Sequence, residues 1–345
     1  MKMILKREAV DLFLNRKSFL KAGLLGLMGL SGCNVNMPGP GGRLGCIPPP
    51  TPITRYLGED AAKEQRGIAY TCKAGDIDIA HVRKYAEWTE SFAEKLEGGL
   101  KNQKTKFSFS GQEPGKYGLE IAYSTDFNNL KKDEKEKIIK DVSIEIGQNL
   151  AYTMSLWHET LTWFGWKYTG IIPEFNSAFC WEDRFSDTFG CYIGGLALKQ
   201  RGNFEKNLNQ ILEKELSRLM VQSKTVNKAS IQNINGEWFS GTGFSSKIFV
   251  RNLDTGLEDR EVSPLIPPVP ECVEVEYWNC PVPNLVQSEK YGFRVEISII
   301  PSGEAGDKIL KVAEKNDVIS VRNDFPKIMG YIEKDAIQKG YRTIH

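Results

Sequence analysis

The chain has 345 residues, of which 41% are hydrophobic and 26% are charged, and these values are ordinary for a globular protein. Lys and Arg number 45 and Asp and Glu number 44, so the net charge is +1. This balance argues against a nucleic-acid partner, because phosphate binding needs a concentrated basic surface. No apolar run reaches about 18 residues, so no internal segment is predicted to span a membrane.

Residues 1–32 have the organisation of a signal peptide. Basic residues precede the apolar run 22–30, which is too short to cross a bilayer and which leads into the sequence LSGC at residues 30–33. This ending resembles the lipobox of bacterial lipoproteins, whose cysteine is acylated with fatty acids such as palmitate. The resemblance implies a mature chain that begins at a lipidated Cys33 and is anchored to a membrane of the cell envelope. Asn34 is not the aspartate associated with inner-membrane retention, so the outer membrane is favoured.

Two further N-terminal features concern export and spacing from the membrane. Residues 15–21 (NRKSFLK) resemble the twin-arginine signal, but Lys17 replaces the second arginine, so the general secretory route remains open. Residues 33–55 combine the acylated cysteine with a Pro- and Gly-rich stretch, which predicts an extended tether.

Six cysteines follow Cys33, and an exported protein meets conditions that permit disulfides. Cys272 and Cys280 flank a short segment and could pair across a turn. Cys46 lies near Cys72 in sequence. Six cysteines allow 15 connectivities, and the sequence does not choose among them.

Residues 56–345 are predicted to form a single large α+β domain, with a helical part over about 65–225 and a β-rich part over about 230–345. Apolar spacing of three or four residues predicts helices over 79–100, 133–164, a segment starting at Ser177 or Cys180, 203–222, 307–314 and 324–340. Alternation and turn residues predict strands over 106–110, 118–123, 238–239, 247–251, 272–277 and 293–299. Gly190, Gly194 and Gly195 indicate close packing against a neighbouring helix.

Three helix-borne pairs carry candidate chemistry: Asp78 with His81, His158 with Glu159, and Glu182 with Asp183. Histidines and carboxylates on packed helices are a usual way to hold zinc, iron or manganese. We therefore expect a divalent metal such as zinc, with Asp78, His81, His158 and Glu182 as ligands. The metal would lower the pKa of a bound water, and Glu159 or Glu182 would act as the general base. Asp78 could equally be only a helix cap.

The sequence from His158 to Thr162 begins like the zinc-protease motif H-E-x-x-H, but Thr162 stands where the second histidine is required. A metalloprotease of that type is therefore not supported. A competing hypothesis makes Cys180 the nucleophile of a Cys–His hydrolase or acyltransferase, with its thiolate favoured by a helix N-terminus and His81 or His158 as its base. A third hypothesis is that the aromatic residues of segment 157–181 only form part of the hydrophobic core, and that the lipoprotein has a structural or interaction role.

The segments AYTCKAGDIDIAHVRKYAEWT, LWHETLTWFGW and SAFCWEDRFSD together resemble an uncharacterised family of bacterial lipoproteins, a domain of unknown function. The resemblance spans roughly residues 65–260 and implies an exported lipoprotein, with no established activity. The function predicted from the sequence is a membrane-anchored, metal-assisted hydrolase, and a non-enzymatic lipoprotein is the alternative. His81 is expected beside His158, with Glu182 close by.

Overall fold

Three long helices form the centre of the fold, and the remaining elements surround them. The computed structural model describes residues 55–111, 113–168, 172–173, 175, 177–241 and 247–344. The predicted signal peptide, Cys33, Cys46 and nearly all of the tether lie outside the described residues. The helices are α1 (Ile79–Lys101), α2 (Lys132–Trp163), α3 (Asp183–Lys199), α4 (Phe204–Arg218), α5 (Lys224–Ile234), α6 (Val286–Lys290), α7 (Gly303–Ala313) and α8 (Val321–Gln338).

Glycines let the three central helices approach each other closely. A Cβ atom added at Gly190 of α3 would lie 2.5 Å from the carbonyl oxygen of Val82 on α1, and one at Gly194 would lie 2.9 Å from Cα of Ala86. A Cβ atom at Gly147 of α2 would likewise lie 2.9 Å from a backbone oxygen of α1. Since such distances are too short for a real Cβ, any larger residue would force the helices apart. The close packing predicted from the glycine pattern is confirmed.

The strands form one four-stranded sheet and several smaller ones. They are β1 (Tyr56–Leu57), β2 (Ile68–Thr71), β3 (Gly75–Asp78), β4 (Lys106–Phe109), β5 (Lys116–Ala122), β6 (Lys167–Tyr168), β7 (Ile172–Pro173), β8 (Phe239–Ser240), β9 (Lys247–Ile248), β10 (Val250–Asn252), β11 (Glu261–Val262), β12 (Cys280–Pro281), β13 (Arg294–Ile300), β14 (Ile319–Ser320) and β15 (Arg342–Ile344). The large sheet has the antiparallel order β14-β13-β5-β4.

The α+β class and the single domain are confirmed. The large sheet takes β4 and β5 from the predicted helical part and β13 and β14 from the predicted β-rich part, so both parts share one core. The β-rich part also contains α6, α7 and α8.

One local prediction is wrong, because residues 273–279 do not form a strand. Of the disulfide pairings that the sequence left open, the structure forms Cys72–Cys272 and not Cys272–Cys280. Cys272 lies in a short 3₁₀ turn beside β2, whereas Cys280 is fully buried on β12, which packs against α3. A disulfide requires adjacent Cα atoms, so the tertiary path of the chain, rather than sequence proximity, selected the pair.

Candidate functional site

The N-termini of α1 and α3 meet at a buried point of the fold. β3 ends at Asp78, and α1 begins at the next residue. Oδ1 of Asp78 accepts hydrogen bonds from the backbone N–H groups of Ala80 (2.8 Å) and His81 (3.4 Å), so Asp78 is the cap of α1. The backbone N–H of Asp78 donates to Oγ of Ser186 (2.9 Å), and this hydroxyl donates to the carbonyl oxygen of Glu182 (2.7 Å). These bonds tie the start of α1 to the start of α3.

His81 lies between two carboxylates of α3. Its Nδ1 atom is 3.0 Å from Oδ1 of Asp187 and 3.4 Å from Oδ1 of Asp183. The two aspartates are four residues apart and therefore share one helix face. Burial disfavours the charged imidazole, but Asp187, Asp78 and Asp183 outweigh burial and raise the pKa of His81 well above its usual value. His81 is therefore held as a cation among carboxylates.

Glu159 of α2 lies near both histidines. Its Oε2 atom accepts a hydrogen bond of 2.5 Å from the backbone N–H of Phe179, a residue with φ of 55°. Such left-handed backbone is uncommon for a bulky residue and persists where the surroundings enforce it. Burial raises the pKa of Glu159, the negative charge of Asp187 adds to the rise, and both imidazoles oppose it.

Glu182 and Cys180 interact directly in front of α3. Burial is the main cause that raises the pKa of Glu182 to about 8; Asp78 and Asp76 add to the rise, and the hydrogen bond with Cys180 opposes it. Burial, followed by the charges of Glu182 and Asp183, raises the pKa of the Cys180 thiol well above its usual value. The expected stabilisation of a thiolate by the helix N-terminus is therefore outweighed at this position.

These residues form what we call the acidic cluster: His81 with the buried carboxylates Asp78, Glu159, Glu182, Asp183 and Asp187. Within the described part of the chain, Oδ2 of Asp78, Oε2 of Glu182 and Oδ2 of Asp187 have no hydrogen-bond partner. Buried oxygens without partners are costly, and five acids exceed what one imidazole can balance.

Arg184 contributes positive charge to the acidic cluster. It is completely buried and interacts electrostatically with Asp187 and Glu159. Its Nη1 atom donates to Oγ of Ser155 at 3.0 Å, and its guanidinium lies 5.3 Å from the ring centre of Tyr152. Arg184 is thus directed towards α2, and it does not form an ion pair with any carboxylate of the acidic cluster.

The second histidine belongs to a different group, which we call the balanced cluster: Lys84, Glu113 and His158. Nδ1 of His158 lies 3.0 Å from Oε1 of Glu113, and Nζ of Lys84 lies 3.9 Å from the same oxygen. Burial alone would raise the pKa of Glu113, but the hydrogen bond with His158 and the charge of Lys84 lower it to about 2. Burial and the charge of Lys84 lower the pKa of His158, but the hydrogen bond with Glu113 and its negative charge outweigh them, so the pKa of His158 is raised.

The structure distributes the predicted site residues over both clusters. Asp78, His81 and Glu182 come together around the N-termini of α1 and α3, whereas His158 pairs with Glu113. Across the residues that the structure describes, no three His, Cys, Asp or Glu side chains are grouped as ligands of a metal ion.

Sequence reasoning missed four residues: Asp187, Glu113, Lys84 and Arg184. The four-residue spacing of Asp183 and Asp187 on one helix was a signal for the first. Glu113 lies in the connection between β4 and β5, where a charged residue is ordinarily solvated, so no comparable signal marked it.

All of these site residues fall inside one family match. Residues 54–264, more than half of the chain, match a family described as "protein of unknown function (DUF4056)". The chain belongs to this DUF4056 family. The match covers both clusters and ends before Cys272, so the acidic cluster lies entirely in the family's portion of the chain.

The comparisons with curated proteins and with solved structures find no match. In the part of the chain that the structure describes, no helix is both long and apolar enough to cross a membrane.

Proposed function

We propose that the chain is an exported hydrolase whose catalytic centre is the acidic cluster, where a divalent cation assists the reaction. The observation that carries this proposal is the excess of buried carboxylates around His81. Five buried acids with three unpartnered oxygens lie around His81, and Arg184, which interacts electrostatically with Asp187 and Glu159, donates its hydrogen bond to Ser155.

The excess can be relieved in two ways, by bound protons or by a bound cation. Without a cation, protons relieve it: burial, followed by the charges of neighbouring carboxylates, raises the pKa values of Glu159, Glu182 and Asp183. A cation competes with those protons, because a metal binds the ionised carboxylate. Binding should therefore strengthen as the pH rises towards the pKa of Glu182, about 8.

The donor types suit a hard or intermediate divalent ion. Carboxylate oxygens favour Mg²⁺, Mn²⁺ or Ca²⁺, whereas Zn²⁺ would gain an imidazole ligand only if His81 gave up the proton that the surrounding aspartates hold on it. The unpartnered oxygens of Asp78, Glu182 and Asp187 are the free donors of the set. Binding would have to draw them together, because no three such side chains are grouped as ligands in the described part of the chain. When bound, the cation would supply Lewis-acid polarisation and an acidified water.

The protein's own residues would divide the remaining work. Asp187 orients His81 through Nδ1 and keeps it charged, so that the imidazolium can stabilise negative charge. Glu159 is fixed by the backbone N–H of Phe179 and lies near His81, which makes it the candidate general base.

The disulfide supports the export part of the proposal. A bond between Cys72 and Cys272 is typical of an oxidising compartment outside the cytosol. Together with the LSGC sequence at residues 30–33, it favours a mature protein that is anchored by lipid on Cys33 in the cell envelope. The outer membrane is our proposed location, and the membrane is the proposed partner.

Metal analysis of the purified mature protein tests the catalytic proposal. The protein is treated with EDTA, dialysed against Mn²⁺, Mg²⁺ or Zn²⁺ at pH 6 and pH 8, and assayed for bound metal and for hydrolysis of carboxylic and phosphoric esters. We expect about one tightly held ion, more metal at pH 8 than at pH 6, and loss of both metal and activity in D187N. H158Q is the matched control, because His158 belongs to the balanced cluster, and it should retain the metal. Equal, near-zero metal in wild type, D187N and H158Q would overturn the proposal.

A second candidate is hydrolysis by acid–base chemistry without a metal. The raised pKa values of Glu182 and Asp183 favour it, because protonated and ionised carboxylates then coexist near neutral pH. Ester hydrolysis that survives EDTA but fails in E182Q and D187N would select this candidate. Absence of both metal and activity would leave the non-enzymatic role, and activity lost only in C180S would select the cysteine hydrolase.

A further inference from the structure

A surface pocket of about 390 Å³ lies at the C-terminal ends of α2 and α8, apart from both clusters. Its principal lining residues are Trp163, Phe164, Phe175, Tyr331, Asp335 and Lys339. The volume falls within the usual range for small-molecule sites, which are mostly apolar and carry a few convergent polar groups. The pocket therefore has the size and composition of a ligand site.

The aromatic residues form a layered wall. The rings of Phe164 and Tyr331 are stacked, with centres 5.6 Å apart and planes 20° apart. Tyr331 remains 46% exposed, whereas Trp163 is only 4% exposed and forms the floor. A half-exposed tyrosine supported from behind by another ring offers a rigid, flat, apolar surface at little cost in side-chain entropy.

The polar residues are arranged around one carboxylate. Oδ2 of Asp335 accepts hydrogen bonds from Nε1 of Trp163 (3.0 Å) and from Nζ of Lys339 (2.5 Å), so Oδ1 is the available acceptor. The Lys339 ammonium also lies 5.2 Å from the ring centre of Trp163 and 4.9 Å from that of Phe175. Asp335 thus offers one hydrogen-bond acceptor beside the aromatic wall, and the Lys339 ammonium offers N–H donors.

The charges of the pocket select among ligand classes. Lys339 already occupies the faces of Trp163 and Phe175, as a cationic ligand would, so a second cation is disfavoured. Asp335 opposes an anion, and the Asp335–Lys339 pair leaves no net charge. A neutral ligand with an apolar face and many hydroxyl groups fits both the wall and the polar pair.

We propose that this pocket binds a pyranose ring of a neutral saccharide. The C–H face of the sugar packs on Tyr331, because those hydrogens are slightly positive and the ring face is slightly negative. Hydroxyl groups of the sugar donate to Oδ1 of Asp335 and accept from Lys339. The inference does not depend on the proposed hydrolase, because no residue of the acidic cluster lines the pocket.

Isothermal titration of the mature protein tests the proposal. The probes are cellobiose, maltose and the N-acetylglucosamine dimer, with adenosine as a planar aromatic ring and tetramethylammonium as a cation. We expect at least one saccharide to bind with a Kd of about millimolar or tighter, and Y331A to weaken it by about tenfold. Y277A is the matched control, because Tyr277 is 62% exposed and does not line the pocket, and it should leave the Kd unchanged.

A charge variant separates the ligand classes further. K339M removes the internal cation and leaves Asp335 uncompensated, so the variant should bind tetramethylammonium and lose saccharide affinity. K334M changes a lysine of α8 that does not line the pocket, and this variant should behave as wild type. Failure of every saccharide to bind, equal affinity in Y331A and Y277A, or binding of adenosine alone would overturn the proposal.

Discussion

The acidic cluster and the balanced cluster each bury a histidine beside at least one carboxylate, yet the pKa of the carboxyl group shifts in opposite directions in the two clusters. In the balanced cluster one carboxylate faces two cationic groups, and the pKa of Glu113 falls to about 2. In the acidic cluster five carboxylates face one imidazole, and the pKa of Glu182 rises to about 8. Burial raises the pKa of both carboxyl groups, but at Glu113 the hydrogen bond with His158 and the charge of Lys84 overcome that rise, whereas at Glu182 the neighbouring carboxylates Asp78 and Asp76 add to it. A satisfied cluster is suited to holding structure, and an unsatisfied one to binding a proton or a cation.

The largest expected effect comes from breaking the balanced cluster. E113Q leaves Lys84 and His158 without the carboxylate that both contact, so we expect the free energy of unfolding to fall by about 3 kcal/mol. Urea denaturation at pH 7 in EDTA measures it. E120Q, which removes an exposed carboxylate on neighbouring β5, should change the stability by less than about 0.5 kcal/mol. An E113Q variant as stable as E120Q would show that the balanced cluster has no structural role.

A smaller effect, of opposite sign, is expected from E182Q in the acidic cluster: at alkaline pH this change should raise the free energy of unfolding. Glu182 holds its proton up to about pH 8 in the folded state, whereas an unfolded glutamate loses it near pH 4.3. Folding therefore retains a proton in this window, and the free energy of unfolding falls as the pH rises through it.

Glutamine cannot ionise, so E182Q should remove this loss. We expect the stability of wild type to fall by about 2 kcal/mol more than that of E182Q between pH 5 and pH 8, measured by urea denaturation in EDTA. Parallel stability–pH curves for the two proteins would contradict a raised pKa at Glu182. Divalent cation should flatten the wild-type curve if the catalytic proposal holds.

The smallest effect is expected at Lys84. Its ammonium lies 3.9 Å from Glu113, which keeps its closer contact with His158 at 3.0 Å. K84M also removes the cost of burying a second cation, so we expect a loss of only about 1 kcal/mol. Because one cation remains, the lowered pKa of Glu113 should rise but stay below its ordinary value, as carboxyl NMR titration would show. A loss as large as that of E113Q would mean that Lys84, and not His158, is the main partner of Glu113.

Several features of the fold could be predicted from the sequence because they depend on local physical chemistry. Asp78 was a candidate cap because its side chain can reach the free amides of the first helical turn, and it is the cap of α1. The long helices followed from apolar spacing, and Gly190 and Gly194 marked close helix contacts because only glycine permits them. The distinctive motifs also pointed to an uncharacterised family, and the chain belongs to a family of unknown function over residues 54–264.

Only the tertiary structure decided which charged groups share a neighbourhood. Asp187 reaches His81 because α3 packs on α1, and Glu113 reaches His158 because the β4–β5 connection folds over α2. Cys72 meets Cys272 across 200 residues of sequence. Periodicity specifies which face of an element is buried, but the partner of a buried charge lies on another element. The charge balance that separates the two clusters therefore exists only in the folded chain.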